Sequence, residues 1–243
     1  MKKLFILTII FALFSSCAED NATKYNYPDS KIWKHRVNSM DELRQTEKSF
    51  DGVEVDIIYS SKKNDIYVAH GYEDTVNKLF FDEYLSALEK PEKMCYWIDF
   101  KNLNKNNAPK ALEIFGSIVD KYNIRDKVII ESNSTGALKI AKENNFHVML
   151  WVEAISYRKN PTFDDTLSVI KKIRSQIELV EPDAISCVYT MFPILCDSFP
   201  NQNIHFWDTP KKFTPDNVEH TKNLCRSKNV KIVLVDYPEP IDY

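Results

Sequence analysis

Two apolar stretches of the chain carry ionisable side chains two residues apart. Glu54 and Asp56 lie in GVEVDII (residues 52–58), and Asp99 and Lys101 lie in WIDFK (residues 97–101). Residues two apart share one face of a β-strand. Buried carboxylates repel one another and lose hydration, so they need a cation or shared protons. Because all-oxygen ligands favour Mg²⁺ or Ca²⁺ over Zn²⁺, Glu54, Asp56 and Asp99 are predicted to bind one such divalent cation. Structural salt bridges are the alternative.

Three further basic or titratable side chains flank these stretches. His35 and Arg36 lie upstream, and His70 follows the first acidic pair. Histidine exchanges protons near neutral pH, so His35 and His70 are candidates for a general base and a general acid, although a lone histidine is more often structural. Arg36 and Lys101 are candidates to bind the oxygens of a substrate phosphate. Together with the acids, they predict metal-assisted chemistry on a phosphate group.

The elements that must position these residues alternate regularly along the chain. Apolar and β-branched runs predict strands at 32–36, 53–59, 65–69, 95–101, 127–131, 147–152, 184–189, 204–208 and 231–236. Helical patterns occur at 39–50, 81–89, 108–122, 135–144, 162–179, 190–197 and 215–227.

Strand–helix alternation predicts an α/β fold with a parallel sheet. Eight repeats over about 210 residues favour a single-domain (β/α)8 TIM barrel at residues 31–243, with an open doubly wound sheet as the alternative. The polar residues fall at strand carboxyl ends, which converge on one mouth in a barrel. Glu131, Glu153 and Asp208 fall there too and are additional candidates for mouth residues.

The amino-terminal segment has the features of an export signal. Two lysines precede an apolar run that ends at Ser-Ser-Cys17, and the run is too short for an ordinary transmembrane span. This break resembles the lipobox of bacterial lipoproteins, in which the cysteine is lipidated. The resemblance implies a signal peptide at 1–16, a polar tether at 17–30 and a lipid-anchored protein of the bacterial cell envelope, in the outer membrane or at the surface. Ordinary secretory cleavage nearby is the alternative.

Composition excludes several function classes. The formal net charge of -3 argues against non-specific nucleic-acid binding. With only four glycines, the chain has no dinucleotide-binding or P-loop motif. Cys95, Cys187, Cys196 and Cys225 could form disulfides in an exported chain, but Cys95 and Cys187 lie in strand-like runs and are better interpreted as small buried side chains.

The ordered set of motifs resembles the phospholipase C-like phosphodiesterase superfamily. Its glycerophosphodiester phosphodiesterases carry His-Arg, Glu-x-Asp, a further His and Glu-x-Lys, which correspond here to His35-Arg36, Glu54-Val-Asp56, His70 and Asp99-Phe-Lys101. The segment HRVNS (residues 35–39) and Asp-Phe-Lys are instead similar to the menorin branch. Asp before x-Lys also occurs in the sphingomyelinase D-like branch.

This resemblance implies a metal-dependent phosphodiesterase on a (β/α)8 barrel. The expected substrate is a small-molecule or lipid phosphodiester, such as a glycerophosphodiester, cleaved by histidine acid–base catalysis. The alternatives are a sphingomyelinase D-like lyase and a catalytically inactive binding protein. The chain is expected to act as a monomer, in contact with the membrane only through its lipid anchor.

Overall fold

A computed structural model describes residues 24–71, 79–207 and 213–243. The predicted signal peptide, Cys17 and Asp208 lie outside these residues. Within the described ranges, nine strands form one sheet: β1 Ile32–Lys34, β2 Gly52–Ser60, β3 Asp65–Val68, β4 Cys95–Phe100, β5 Val128–Ser132, β6 His147–Trp151, β7 Ala184–Val188, β8 Ile204–Trp207 and β9 Val230–Val235. The same ranges contain seven α-helices, which surround the sheet: α1 Met40–Thr46, α2 Phe81–Leu85, α3 Ala108–Lys121, α4 Thr135–Glu143, α5 Phe163–Val180, α6 Phe192–Ser198 and α7 Pro215–Cys225.

Eight of the strands are parallel and close on themselves. Their order around the sheet is β1-β2-β4-β5-β6-β7-β8-β9, and β9 pairs with β1 to complete the ring. The helices lie between successive strands in sequence, as right-handed crossovers require. The predicted (β/α)8 barrel is therefore confirmed, and the open doubly wound sheet is wrong.

The remaining strand, β3, is antiparallel and forms a hairpin with the end of β2. Ile57 pairs with Val68, and the Ala69 N–H donates to the Asp56 carbonyl at 3.0 Å. The short β1 pairs with β2 only at Val53, and β3 pairs with the same edge of β2 further along, from Ile57 to Ser60. The hairpin returns the chain, and with it His70, to the carboxyl end of the barrel.

Strand alternation separates the interior of the barrel from its helical shell. One buried cluster lies inside the strands and includes Trp33, Trp97, Met149 and Leu234, whereas the larger cluster packs beneath the helices. Gly52 is required by this packing, because a Cβ there would lie 2.2 Å from the Trp33 ring. Side-chain caps fix several helix starts. Ser39 caps α1, Ser134 caps α4, Thr162 caps α5 and Thr214 caps α7.

The amino-terminal end of the barrel is covered by residues 24–30, part of the predicted tether. Tyr25 is buried and its hydroxyl donates to the Lys127 carbonyl at 3.0 Å. The Tyr27 hydroxyl lies 3.0 Å from Nε2 of His205. Burial lowers the pKa of His205 to about 3, so this histidine is neutral at physiological pH. Within the described ranges, no helix is long and apolar enough to cross a membrane.

Candidate active site

The carboxyl ends of the strands surround a cavity of about 540 Å³. Ionisable side chains from β1, β2, β4 and β9, or from the residue or two after them, line one half: His35, Arg36, Glu54, Asp56, Asp99, Lys101 and Asp236. This is the end of a (β/α)8 barrel at which active sites are built. Six of the seven site residues predicted from the sequence therefore meet in one cavity, and Asp236 joins them.

Three carboxylates form the centre of this half. Asp56 and Asp99 are direct partners across β2 and β4, and Glu54 precedes Asp56 on the same face. One oxygen from each of the three lies within 4.8 Å of the others. Glu54 and Asp56 are buried, while Asp99 is partly exposed to the cavity.

Backbone and amide groups hold the two buried carboxylates in place. The Arg36 N–H donates to Oε2 of Glu54 at 2.7 Å, and Arg36 reaches this position with a φ of 53°, in the left-handed region. Asn38 makes two bonds with Asp56: its Nδ2 donates to Oδ2 at 2.6 Å, and its Oδ1 accepts from the Asp56 N–H at 3.0 Å. Asn38 was not predicted to belong to the site, although it lies only two residues after Arg36.

Burial and the closeness of the carboxylates perturb the pKa values of Glu54 and Asp99. Burial, then the charges of Asp56 and Asp99, raise the pKa of Glu54 well above its ordinary value. Burial also raises the pKa of Asp99. Lys101 compensates part of this charge, since its Nζ lies 2.7 Å from Oδ1 of Asp56 and also contacts Oδ2 of Asp99. Although burial acts to lower the pKa of Lys101, these two carboxylates raise it overall, so the ammonium is charged.

The donor set fits a hard divalent cation. Three carboxylates on two rigid strands supply oxygen ligands on one side only, and Mg²⁺ and Ca²⁺ are bound in this way when substrate or water completes the shell. Burial raises the pKa values of Glu54 and Asp99, and a bound cation would offset the cost of ionising these two acids away from water. Glu54, Asp56 and Asp99 are thus the residues that would hold the metal.

The two predicted catalytic histidines have different surroundings. His35 is largely buried; its Nδ1 lies 2.9 Å from Oδ1 of Asp236, and its Nε2 is directed to the cavity, 3.9 Å from Oε2 of Glu54. The hydrogen bond with His35 lowers the pKa of Asp236. His70 is exposed and, among the described residues, lies outside the cavity wall, although it is near enough for its charge to act on Asp99.

Of the additional mouth candidates, Glu131 lies in the cavity and Glu153 lies outside it. Glu131 is buried in the cavity, where its Oε2 accepts from Nε1 of Trp97 at 3.0 Å and its Oε1 accepts from the Ser186 hydroxyl. Glu153 lies beyond the described wall of the cavity, with its carboxylate 3.9 Å from Nε of Arg158 and 3.7 Å from Nζ of Lys172.

The opposite half of the cavity was not predicted. Trp97, Trp151, Val188, Trp207 and Leu234 line it with Glu131. Each lies on the inward face of its strand, because each is an even number of residues from a known interior position such as Asp99, Met149 or His205. That parity was the signal in the sequence that could have identified them.

The cysteines of the described chain carry no disulfide. Cys95, Cys187 and Cys225 are buried, and Cys196 is half-buried. Burial raises the pKa of Cys187 to about 12, so this thiol is not a nucleophile at neutral pH.

Comparison with known proteins finds the same barrel architecture in solved structures of low sequence identity. No family model and no curated protein sequence matches the chain. A glycerophosphodiester phosphodiesterase from Parabacteroides distasonis superposes with a TM-score of 0.62 at 13% identity, covering 88% of this chain and 95% of that one. A phosphodiesterase from Oleispira antarctica, solved with the product sn-glycerol-3-phosphate, superposes with a TM-score of 0.63 at 13% identity, covering 87% and 94%. At these identities the likeness establishes the barrel fold over nearly the whole of both chains.

Proposed function

We propose that this protein is a divalent-metal-dependent phosphodiesterase that cleaves glycerophosphodiesters or related phospholipid-derived diesters. The observation that carries the proposal is the meeting, at one barrel mouth, of three carboxylates within 4.8 Å and three cationic or titratable side chains, Arg36, Lys101 and His35. The structural likeness to glycerophosphodiester phosphodiesterases supports it.

A phosphodiester anion fits the charge pattern of this half of the cavity. A bound Mg²⁺ or Ca²⁺ would supply Lewis-acid polarisation of a phosphoryl oxygen. The Arg36 side chain is exposed to the cavity, and its guanidinium group can donate hydrogen bonds to two oxygens of one phosphate. Lys101, already held by Asp56 and Asp99, presents a fixed ammonium beside the same place. Both cations offset the charge that develops on the phosphoryl oxygens in the transition state.

The proton transfers fall to the two histidines. His35, oriented by Asp236, takes the proton of the attacking oxygen, which is either water or a neighbouring hydroxyl of the substrate. A bond from that oxygen to phosphorus forms while the bond from phosphorus to the leaving alcohol breaks. His70, whose charge acts on Asp99 from the rim of the cavity, supplies the proton that the leaving oxygen needs. Attack by a substrate hydroxyl would yield a cyclic phosphate and attack by water would yield a monoester.

One observation favours a second candidate. Lys101 contacts both Asp56 and Asp99, so part of the acidic cluster is compensated by the chain itself. A barrel that binds phosphodiesters without cleaving them is compatible with this arrangement, and only turnover separates the two candidates.

The test combines metal binding with turnover. Glycerophosphodiesters, lysophospholipids and sphingomyelin are assayed with Mg²⁺, with Ca²⁺ and with EDTA, and metal affinity is measured by calorimetric titration. Glu54→Gln and Asp56→Asn should abolish both metal binding and turnover. Glu54→Gln should raise the melting temperature in EDTA, because it removes a buried acid that Asp56 and Asp99 repel, whereas Asp56→Asn should lower it, because it removes a partner of the Lys101 ammonium. Glu113→Gln, on the exposed surface of α3, is the matched control.

Two outcomes would contradict the proposal. Unchanged metal affinity in both variants would remove the three carboxylates as ligands. Metal and phosphodiester binding without turnover of any substrate would leave the binding protein as the function.

A further inference from the structure

The side chain of Lys34 lies behind the pair formed by His35 and Asp236. Trp33 and His35 face the interior of the barrel and its mouth, so Lys34, the residue between them, projects to the opposite side of β1, towards the helices. There it lines a second cavity, of about 450 Å³, which α1 partly encloses. Its Nζ donates to the carbonyl of Asp236 at 2.9 Å and to the carbonyl of Tyr237 at 2.5 Å. A half-buried cation outside the catalytic cavity thus holds the backbone that carries one of the cavity's side chains.

These two carbonyls lie where the pairing of β1 with β9 has ended. The His35 N–H donates to the Val235 carbonyl at 3.0 Å, and the next residue, Arg36, turns away from β9 in the left-handed region. β9 ends at Val235, so the chain at 236–237 has passed the strand that it paired with. Backbone carbonyls away from water cost free energy when they lack a donor. The Lys34 ammonium supplies donors to both of them in place of the strand.

A second contact anchors the same segment from the other side. The Tyr237 side chain is buried, and its hydroxyl lies 3.0 Å from Oγ1 of Thr221 on α7. The chain after β9 is therefore held by α7 through this side chain and by β1 through Lys34. Asp236 lies on the same face as Leu234, and its carboxylate lines the mouth. Because Asp236 follows the strand and is not part of it, its position depends on these two contacts.

The orientation of Asp236 decides which nitrogen of His35 can act as a base. The Nδ1–H of His35 donates to Oδ1 of Asp236 at 2.9 Å. An ionised carboxylate can only accept, so the neutral ring carries its proton on Nδ1 and leaves Nε2, on the cavity side, free to take a proton. The hydrogen bond with His35 lowers the pKa of Asp236, and the charges of Lys34 and Arg36 act in the same direction. Lys34 thus supports the aspartate through the backbone and through its charge.

We propose that Lys34 is a positioning residue for the reaction: it fixes the chain after β9 and, through Asp236, keeps Nε2 of His35 available as the base. The inference rests on the proposed function for the role of His35. Lys34 is not among the described residues that line the catalytic cavity. Its loss should therefore slow turnover and leave the binding of metal and substrate intact.

The chain provides a matched control three residues upstream. Nζ of Lys31 also donates to two carbonyls, those of Cys225 at 2.7 Å and Ser227 at 3.0 Å, but at the amino-terminal end of the barrel. Lys34→Met and Lys31→Met should lower the melting temperature by similar amounts. Lys34→Met should also lower kcat for a glycerophosphodiester roughly 10- to 100-fold, the range for outer partners that orient active-site groups, with KM and metal affinity unchanged. Lys31→Met should leave kcat unchanged, and Lys34→Arg, which keeps the charge and the donors, should restore most of it.

A spectroscopic measurement tests the inference without turnover. Proton–nitrogen NMR spectra of the histidine rings report which nitrogen carries the proton, and the His35 signals are those that disappear in His35→Ala. The wild type and Lys31→Met should hold the His35 proton on Nδ1, whereas Lys34→Met should show a mixture of the two tautomers. If Lys34→Met does not fold, Lys34→Gln, whose amide can still donate to one carbonyl, takes its place.

The outcomes separate this inference from the proposed function. Persistence of the Nδ1 tautomer in the Lys34 variant would overturn the positioning role, whatever the rate. An equal loss of kcat in Lys31→Met would overturn it as well, because general destabilisation would then explain both variants. If the wild type cleaves no diester, the proposed function fails, and the tautomer of His35 alone decides whether Lys34 positions it.

Discussion

Glu131 offers a prediction that does not depend on any substrate. This buried carboxyl has its pKa raised to about 8 from an ordinary 4.5, first by burial and then by the charge of Asp99. The hydrogen bonds from Ser186 and Trp97 oppose the increase without cancelling it. Folded protein therefore holds a proton on Glu131 over a pH range in which the unfolded chain has lost it.

The sign and size of the effect follow from linkage. Because the folded state binds more protons than the unfolded state between pH 4.5 and 8, stability falls as pH rises through this range. The full difference between the two pKa values corresponds to about 5 kcal/mol. Between pH 5 and pH 8 the folded protein should lose about 3 kcal/mol through Glu131 alone.

Glu131→Gln should remove this loss. A glutamine resembles the protonated acid: its carbonyl can accept from Trp97, and the Ser186 hydroxyl can rotate to accept from its amide. The variant should be about as stable as the wild type at pH 5 and more stable at pH 8. Urea unfolding at both pH values, in EDTA, measures the difference.

The comparison is specific to one residue. Glu54 and Asp99 also have raised pKa values, but both acids are present in the wild type and in Glu131→Gln. A difference between these two proteins therefore reports on Glu131. Glu113→Gln on α3 changes an exposed carboxylate and should follow the wild type at every pH. Parallel pH dependences for the wild type and Glu131→Gln would refute the argument, since they would mean that Glu131 is ionised in the folded protein across the range.

Two further predictions concern the acid–base groups and the amino terminus. His35→Ala should lower turnover roughly 10²- to 10⁴-fold, as expected for a general base. Asp236→Asn should lower turnover less and leave metal affinity unchanged. Full activity in both variants, measured by initial rates, would exclude His35 from the chemistry. Cys17→Ser should release the protein from the membrane fraction of its host, as judged by detergent partitioning, and unchanged partitioning would contradict the lipid anchor.

Most of the barrel could be predicted because each strand carries its own signal. The β-branched runs at 53–59 and 95–101 are buried on both faces, and the observed β2 and β4 agree with them to within a residue at each end. Parallel strands place their carboxyl ends together, so acids at those ends could be assigned to one mouth without knowing the pairing.

The contacts around the acids could not be predicted in the same way. The Arg36 N–H reaches Glu54 only because the chain turns into the left-handed region after β1, and no glycine marks that turn. Asn38 binds Asp56 from 18 residues away in sequence, and asparagine occurs in many solvated loops. His70 was assigned to the mouth by its place after β3, but strand position does not determine where an exposed side chain points.

The register of the sheet explains why the cavity has two halves. Asp56, Asp99 and Glu131 are consecutive partners across β2, β4 and β5, and the next partner, on β6, is Met149. Three acids in one row repel one another, so each needs its own compensation. Lys101 compensates the first two with charge, whereas Trp97 and Ser186 give the third only neutral hydrogen bonds. Charged groups therefore collect at β2 and β4, where an anion and its metal can be held. Beyond β5 the row becomes apolar, and Glu131, which keeps its proton in the folded protein at neutral pH, adds no fixed charge to that side of the cavity.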